Sequence, residues 1–199
     1  KKLSKKINFP YPSYQRFLNT REKIFLKDLS IDRITKLYLQ ISFNQLPKKY
    51  SGETFNYSQI KVNYEIRSKL KKFAKHQNNE FIKFYFSILE YLIPKNCIEN
   101  FSELHEVYLS LNWPKSPKII LTSTAHINND LFKYYAAQKQ NSGSKLFIHQ
   151  HGGGFGPGNS NLGEYFEKRI SSKFITWGWG YGLKKIIPFR FNKIKNLNI

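Results

Sequence analysis

Lys145-Leu-Phe-Ile-His149-Gln150-His151-Gly152-Gly153-Gly154-Phe155-Gly156-Pro157-Gly158 is the stretch that decides the fold. Its first five residues read as a strand with an apolar centre, Leu146-Phe147-Ile148, and five of the seven residues from Gly152 to Gly158 are glycine. A segment so rich in glycine cannot continue a strand. It permits positive φ and lets backbone N–H groups approach an anion with no Cβ in the way. A strand that opens into such a loop at its carboxyl end has the form of a ligand crevice in an open α/β sheet.

The neighbouring sequence supports that reading. Lys118 to Thr124 is a second β-branched apolar run, suited to a buried parallel strand. Asn128 or Asn129 can cap a helix from Asp130 to Gln140, and Gly143 is well placed to stop it. Downstream, Gly152 to Gly163 reads as a loop, Glu164 to Ser171 as a short helix, and Lys173 to Trp177 as a third strand. The order β-α-β-loop-α-β predicts an α/β, doubly wound, Rossmann-like sheet. The strand over 118–124 then brings Thr122, Ser123, Thr124 and His126 to the same edge as the glycine-rich loop.

The first half of the chain has a different texture. Residues 1–29 read as irregular, with Pro10 and Pro12 breaking any early helix. Ser30 is a candidate cap for a helix over Ile31 to Leu46, stopped by Pro47. Tyr57 to Lys75 and Asn79 to Ile93 read as further helices, the latter apolar around so much of its circumference that burial is expected. Ser102 is a candidate cap for a fourth helix through Leu111. His76 and His105 come without any ligand spacing and read as surface or packing residues. The expected organisation is a mainly helical portion over 1–112, a Rossmann-like segment over 113–189, and the start of a linker over 190–199.

With 199 residues, 40% of them hydrophobic, the chain is long enough to bury a core. No run approaches the 18 apolar residues of a membrane span, and no signal-peptide pattern follows Lys1 to Lys6. The single cysteine, Cys97, fits a reducing, cytoplasmic setting. Methionine is absent, position 1 included, so a truncated or internal piece of a longer protein is expected. The formal charge of +20 admits a nucleic-acid partner, but the lysines are scattered in short pairs and do not interleave with aromatics in any recognised motif. Abundant Lys, Asn, Ile, Tyr and Phe also accord with AT-rich codons, which raise lysine with no polyanion to bind.

The chemistry concentrates at the loop. It lacks the Gly-Lys-Ser/Thr of a Walker motif and the GxGxxG spacing of a dinucleotide site. At most one of His149 and His151 is expected to face the crevice from the strand itself; His151, at the junction with the loop, is the candidate. An imidazole there could serve as a general base or hold a phosphate. Glu164 and Glu167 lie three apart and share a face of the short helix, to orient His151 or simply as a solvated face; the resemblance below adds an acceptor hydroxyl as a third role. Trp177 and Trp179 would pack in the core or face a ligand, with packing favoured; the resemblance below implies a sugar ring as that ligand, or a hinge between domains as what they pack. No clustered ligand set points to a metal.

Taken together, Gln150-His151-Gly152-Gly153, Phe155-Gly156, Glu164 and Glu167, Ile170-Ser171 and Phe174-Ile175-Thr176-Trp177-Gly178-Trp179 span about thirty residues in one order. This block resembles the signature of a transferase family of O-antigen and related surface-carbohydrate biosynthesis. Ser172 departs from that pattern, in which an acid often stands, so no carboxylate role is carried over there. The family resembles GT-B glycosyltransferases, in which two Rossmann-like domains face a cleft. The resemblance implies that this chain is most of the acceptor-side domain of a larger two-domain enzyme. It also implies a nucleotide-activated sugar as donor substrate, no separate cofactor, and a glycan or lipid-linked acceptor. Within that reading His151 is the base, Glu164 and Glu167 assist it, and Gln150 with the amides of Gly152, Gly153, Gly154 and Gly156 cradles phosphate charge. Thr122, Ser123 and Thr124 would meet sugar hydroxyls, and a basic surface would suit peripheral contact with an anionic inner membrane. The alternatives are a basic nucleic-acid-binding module, and a fragment or scaffold without turnover.

Overall fold

A computed structural model describes residues 22–50, 61–158 and 161–189. These divide into two compact units, one built on a β-sheet and one helical. The linker expected over 190–199, and the start of the helix expected from Tyr57, lie outside the described residues.

The sheet unit is an α/β domain with a central parallel sheet flanked by helices. Its strands are β1 (Ile24–Lys27), β2 (Ile119–Thr122), β3 (Lys145–His149), β4 (Lys173–Thr176) and β5 (Ile186–Pro188). All four neighbouring pairs are parallel and the order is β1-β2-β3-β4-β5. A doubly wound arrangement needs a reversal of strand order, and these five strands contain none. The crevice must therefore come from the loops that follow β2 and β3, not from a switch point in the sheet.

Two strands were not expected. Ile24–Lys27 lies within the segment read as irregular, because a three-residue apolar run between Lys23 and Lys27-Asp28 carries too little periodicity to stand out. Phe25 is fully buried, its ring 5.0–5.2 Å from those of Tyr50, Trp113 and Tyr135. The Gln45 amide supplies the edge of β1, accepting from Ile24 N (2.8 Å) and donating to Ile24 O (2.9 Å), so that a side chain takes the place of another strand. β5 follows β4 through residues 177–185 with no helix, a short route for a parallel crossover. Gly178, Gly180 and Gly182 make it possible, all with φ between +82° and +104°.

The intervening helices are α1 (Arg33–Ser42), α5 (Ala125–Asn128), α6 (Asp130–Asn141) and α7 (Leu162–Ile170). Asp32, not Ser30, caps α1, accepting from Thr35 N at 2.8 Å. Ser30 N instead donates to Ser123 Oγ (2.9 Å). Asn129 Oδ1 accepts from Phe132 N in the first turn of α6, and Gly143, at φ +93°, follows its end as expected. The last helix of the unit starts earlier than expected, at Leu162, because Asn161 caps it by accepting from Glu164 N.

The helical unit contains α2 (Tyr64–Ala74), α3 (Glu80–Leu92) and α4 (Phe101–Ser110), together with the first turn of α6. Ser102 does not cap α4; it lies within the helix, behind Asn100. No residue of α3 is buried, although its apolar circumference implied burial. Within this unit α2 covers one stripe of α3, which leaves Phe81, Phe84, Tyr85 and Tyr91 exposed. Arg67 and Glu99 tie the unit together through two bonds of 2.6 and 2.8 Å, which hold the Glu99 carboxyl at about 2. His105 bonds the Tyr134 hydroxyl, a packing role. Among the described residues no helix is long and apolar enough to cross a membrane.

Candidate active site

β3 ends at His149, so His151 lies beyond the strand. Period-two alternation would have put the two imidazoles on one face, and they part because the chain leaves the strand between them. His149 turns into the core, where its Nδ1 lies 3.2 Å from Ser123 Oγ. His151, two residues on, turns toward α7. Its Nε2 lies 2.9 Å from Glu167 Oε1, and the same oxygen lies 3.0 Å from Nε2 of His126, in the short helix after β2. Three elements thus converge on one carboxylate oxygen. The Glu167 and His126 side chains are 3% and 4% exposed, whereas His151 is 24% exposed. The solvent-accessible member of the cluster is therefore the residue at the mouth of the glycine-rich loop.

With Glu167 as a carboxylate its oxygen accepts, so each imidazole presents an Nε2–H to it and keeps Nδ1 as its second ring nitrogen. If His151 takes up a proton, the imidazolium already faces a carboxylate and its charge is offset within the cluster. The Phe155 ring packs edge-on against His151 at 5.1 Å and limits its rotation. Glu167 Oε2 is buried with no hydrogen-bond partner among the described residues, so an acceptor remains open beside the imidazoles.

This constellation, a carboxylate-held imidazole at a glycine-rich strand end, occurs in a chain whose full length, residues 1–199, matches the family described as LIC12162 family transferase. The chain belongs to the LIC12162 family. Its general function is therefore that of a transferase. No curated protein and no solved structure matches it.

The other candidate residues of this LIC12162 family member differ in their surroundings. Glu164 does not reach His151. Its Oε2 accepts from Gly156 N (2.7 Å), and its Oε1 pairs with Lys168. Gly156 N–H thus has an acceptor within the protein. Gln150 is buried and acts as a clamp: Nε2 donates to Gly152 O (2.8 Å), while Oε1 accepts from Trp177 N (3.0 Å) and Trp179 Nε1 (2.8 Å). The glutamine and the Trp-Gly-Trp segment of the motif block are therefore bonded to each other across the sheet edge. β4 ends at Thr176 and Gly178 takes φ +104°, so strand alternation does not extend through the two tryptophans. Trp177 is exposed, whereas Trp179 packs over Gly156 and under the Lys168 ammonium, 4.9 Å from its ring centre.

Gly152, Gly153 and Gly154 form the open part of the loop, and a Cβ on Gly153 would meet nothing. Thr122 is fully buried and its Oγ1 accepts from Ala125 N (3.0 Å), capping the turn that carries His126. Ser123 is buried between Ser30 and His149, and Thr124 alone of the three reaches a cleft. His126 is the partner that sequence reasoning placed at the right edge but gave no role; Glu167, forty-one residues on, supplies that role. Among the described residues no group of three His, Cys, Asp or Glu side chains is placed to hold a metal ion.

Burial, with the nearby His151 second, holds the His149 imidazole down at about 4, against the usual 6.5. The unfolded chain takes up this proton near pH 6.5 and the folded chain does so only near pH 4. Stability contributed by neutral His149 is therefore fully present above pH 6.5 and is lost as pH falls toward 4. Denaturant unfolding should show about 2 kcal/mol less stability at pH 5 than at pH 7 from this group. That part of the difference should vanish in His149→Gln; an unchanged difference would mean other groups carry it.

Proposed function

We propose that this transferase moves a glycosyl or related activated group from a nucleotide-activated donor to a growing surface glycan or lipid-linked acceptor. The biological setting would be bacterial O-antigen or related surface-polysaccharide assembly. The 2.9 Å contact between His151 Nε2 and buried Glu167, at the accessible end of the glycine-rich loop, carries the reading. It supplies an oriented base of the kind that acceptor activation requires.

In the proposed step His151 Nδ1 removes the proton of an acceptor hydroxyl. The freed oxygen forms the bond to the transferred carbon, while the bond from that carbon to the donor phosphate oxygen breaks, its electron pair leaving with the nucleotide. Glu167 offsets the imidazolium charge formed on the way. The motif block further supports a GT-B arrangement, with this chain on the acceptor side of a larger two-domain enzyme. The charge of +20 suits a cytoplasmic enzyme working against the anionic inner leaflet.

Nucleotide release from a panel of nucleotide sugars by the two-domain enzyme to which this chain is assigned, with His151→Ala beside it, tests the reading. Release by the parent that is lost in the folded variant is the expected result. Absence of release with every donor, from a folded protein supplied with lipid-linked acceptor, would overturn it.

A further inference from the structure

A second site lies on the sheet unit away from the histidine cluster. At the carboxyl ends of β1 and β2 a cleft of about 780 Å³ opens between α1 and the segment leading to Tyr50. Its walls carry Lys27, Arg33, Lys36, Lys48 and Lys49, with Asp28 as the one carboxylate among the lining residues. Five cations around one concavity repel one another, and low-dielectric walls focus their field onto whatever enters. Lys27 is almost fully buried, its Nζ 3.9 Å from Asp28 Oδ1 and 5.4 Å from the Trp113 ring centre. Lys48 has Glu22 at 2.9 Å, and among the described residues Arg33, Lys36 and Lys49 form no ion pair, so the cleft keeps an excess of positive charge.

The floor is built under strain. Asp28 has φ +44°, a left-handed conformation that a non-glycine residue adopts at a cost. It is held there because its carbonyl accepts from Ser123 N (3.1 Å) and Thr124 N (3.3 Å) at the end of β2. The cleft also has apolar walls, from Leu26, Leu29, Leu37 and Pro47. Its volume lies within the roughly 300–1,000 Å³ of small-molecule sites, far more than a bare diphosphate fills.

We infer that this cleft binds an organic diphosphate, the cations holding the phosphates and the apolar walls holding the attached group. Thr124 lines it two residues before His126, so one short segment serves both this site and the histidine cluster. The ligand's organic group is either a nucleoside or a polyprenyl chain, which share the diphosphate chemistry.

Calorimetric titration of the full chain with inorganic pyrophosphate, uridine diphosphate and geranyl diphosphate tests this at about 0.15 M salt. One organic diphosphate should bind more tightly than pyrophosphate, and which one does so identifies the source. Arg33→Ala with Lys36→Ala should weaken that binding by at least about tenfold, as expected for lost charge-assisted contacts. Lys75→Ala with Lys83→Ala removes the same charge from exposed positions of the helical unit and should change it by less than about twofold. Arg33→Gln with Lys36→Gln replaces the alanine pair if that pair lowers the melting temperature. No binding of any probe, equal losses in the two pairs, or pyrophosphate binding as tightly as both organic ligands would overturn the inference. The readout is binding rather than turnover, so it stands or falls separately from the transferase step.

Discussion

His151→Ala is expected to lower turnover by about two to four orders of magnitude, the usual contribution of a positioned general base. Glu167→Gln should lose nearly as much. The amide keeps the size of the carboxylate and can still accept a hydrogen bond, but it offers no charge to an imidazolium. Its N–H₂ also competes for position with the two Nε2–H donors that now meet Oε1 at 2.9 and 3.0 Å. Glu167→Asp restores the charge on a shorter arm and should recover part of the loss, which a role in packing alone would not predict. Melting curves establish that each variant folds. Turnover of Glu167→Gln at the parental rate would take the carboxylate out of the mechanism and leave His151 to act alone.

The histidine–glutamate contact joins residues that were legible one by one. His149 and His151 differ because β3 ends at His149; a strand period of two would have set both on one face, so the different surroundings of His151 come from the turn into the loop and not from alternation. The pairing of Glu167 with His126 was not legible, since it depends on how α7 lies over the sheet edge and no local pattern records that. Glu164 and Glu167 share a helix face but have different partners, Gly156 N and two imidazoles. The Rossmann-like texture was readable where strands and helices alternate at ordinary lengths, from β2 to β4. It failed at both edges of the sheet. There β1 is a four-residue run whose open side is satisfied by the Gln45 amide, and β5 is reached through three left-handed glycines in place of a helix. The basic cleft was equally hidden, because its cations come from β1, from α1 and from the segment before Tyr50, and only the fold draws them together.

Gly156→Val should destabilise the sheet unit by about 4 kcal/mol, while Gly153→Val should cost under about 1 kcal/mol. The two positions are three residues apart in one loop, and sequence alone treats them alike. Of the glycines from Gly152 to Gly158, only Gly156 has φ in the left-handed region, at +92°. A side chain there costs about 1–2 kcal/mol in backbone strain alone, and more if it is β-branched. A Cβ would stand 2.8 Å from Trp179 Cε2, so the indole must move as well. That ring is fixed on three sides: its Nε1–H donates to Gln150, the Lys168 ammonium lies over its face, and the Gly156 backbone supports it. Displacing it strips a donor from buried Gln150 and separates Gly156 N from Glu164, and a hydrogen bond to a charged group contributes about 1.5–3 kcal/mol. Denaturant unfolding of the two variants measures the difference. Equal small losses would mean that the loop shifts freely past Trp179, and that the tryptophan, the glutamine clamp and the loop do not act as one packed unit behind His151.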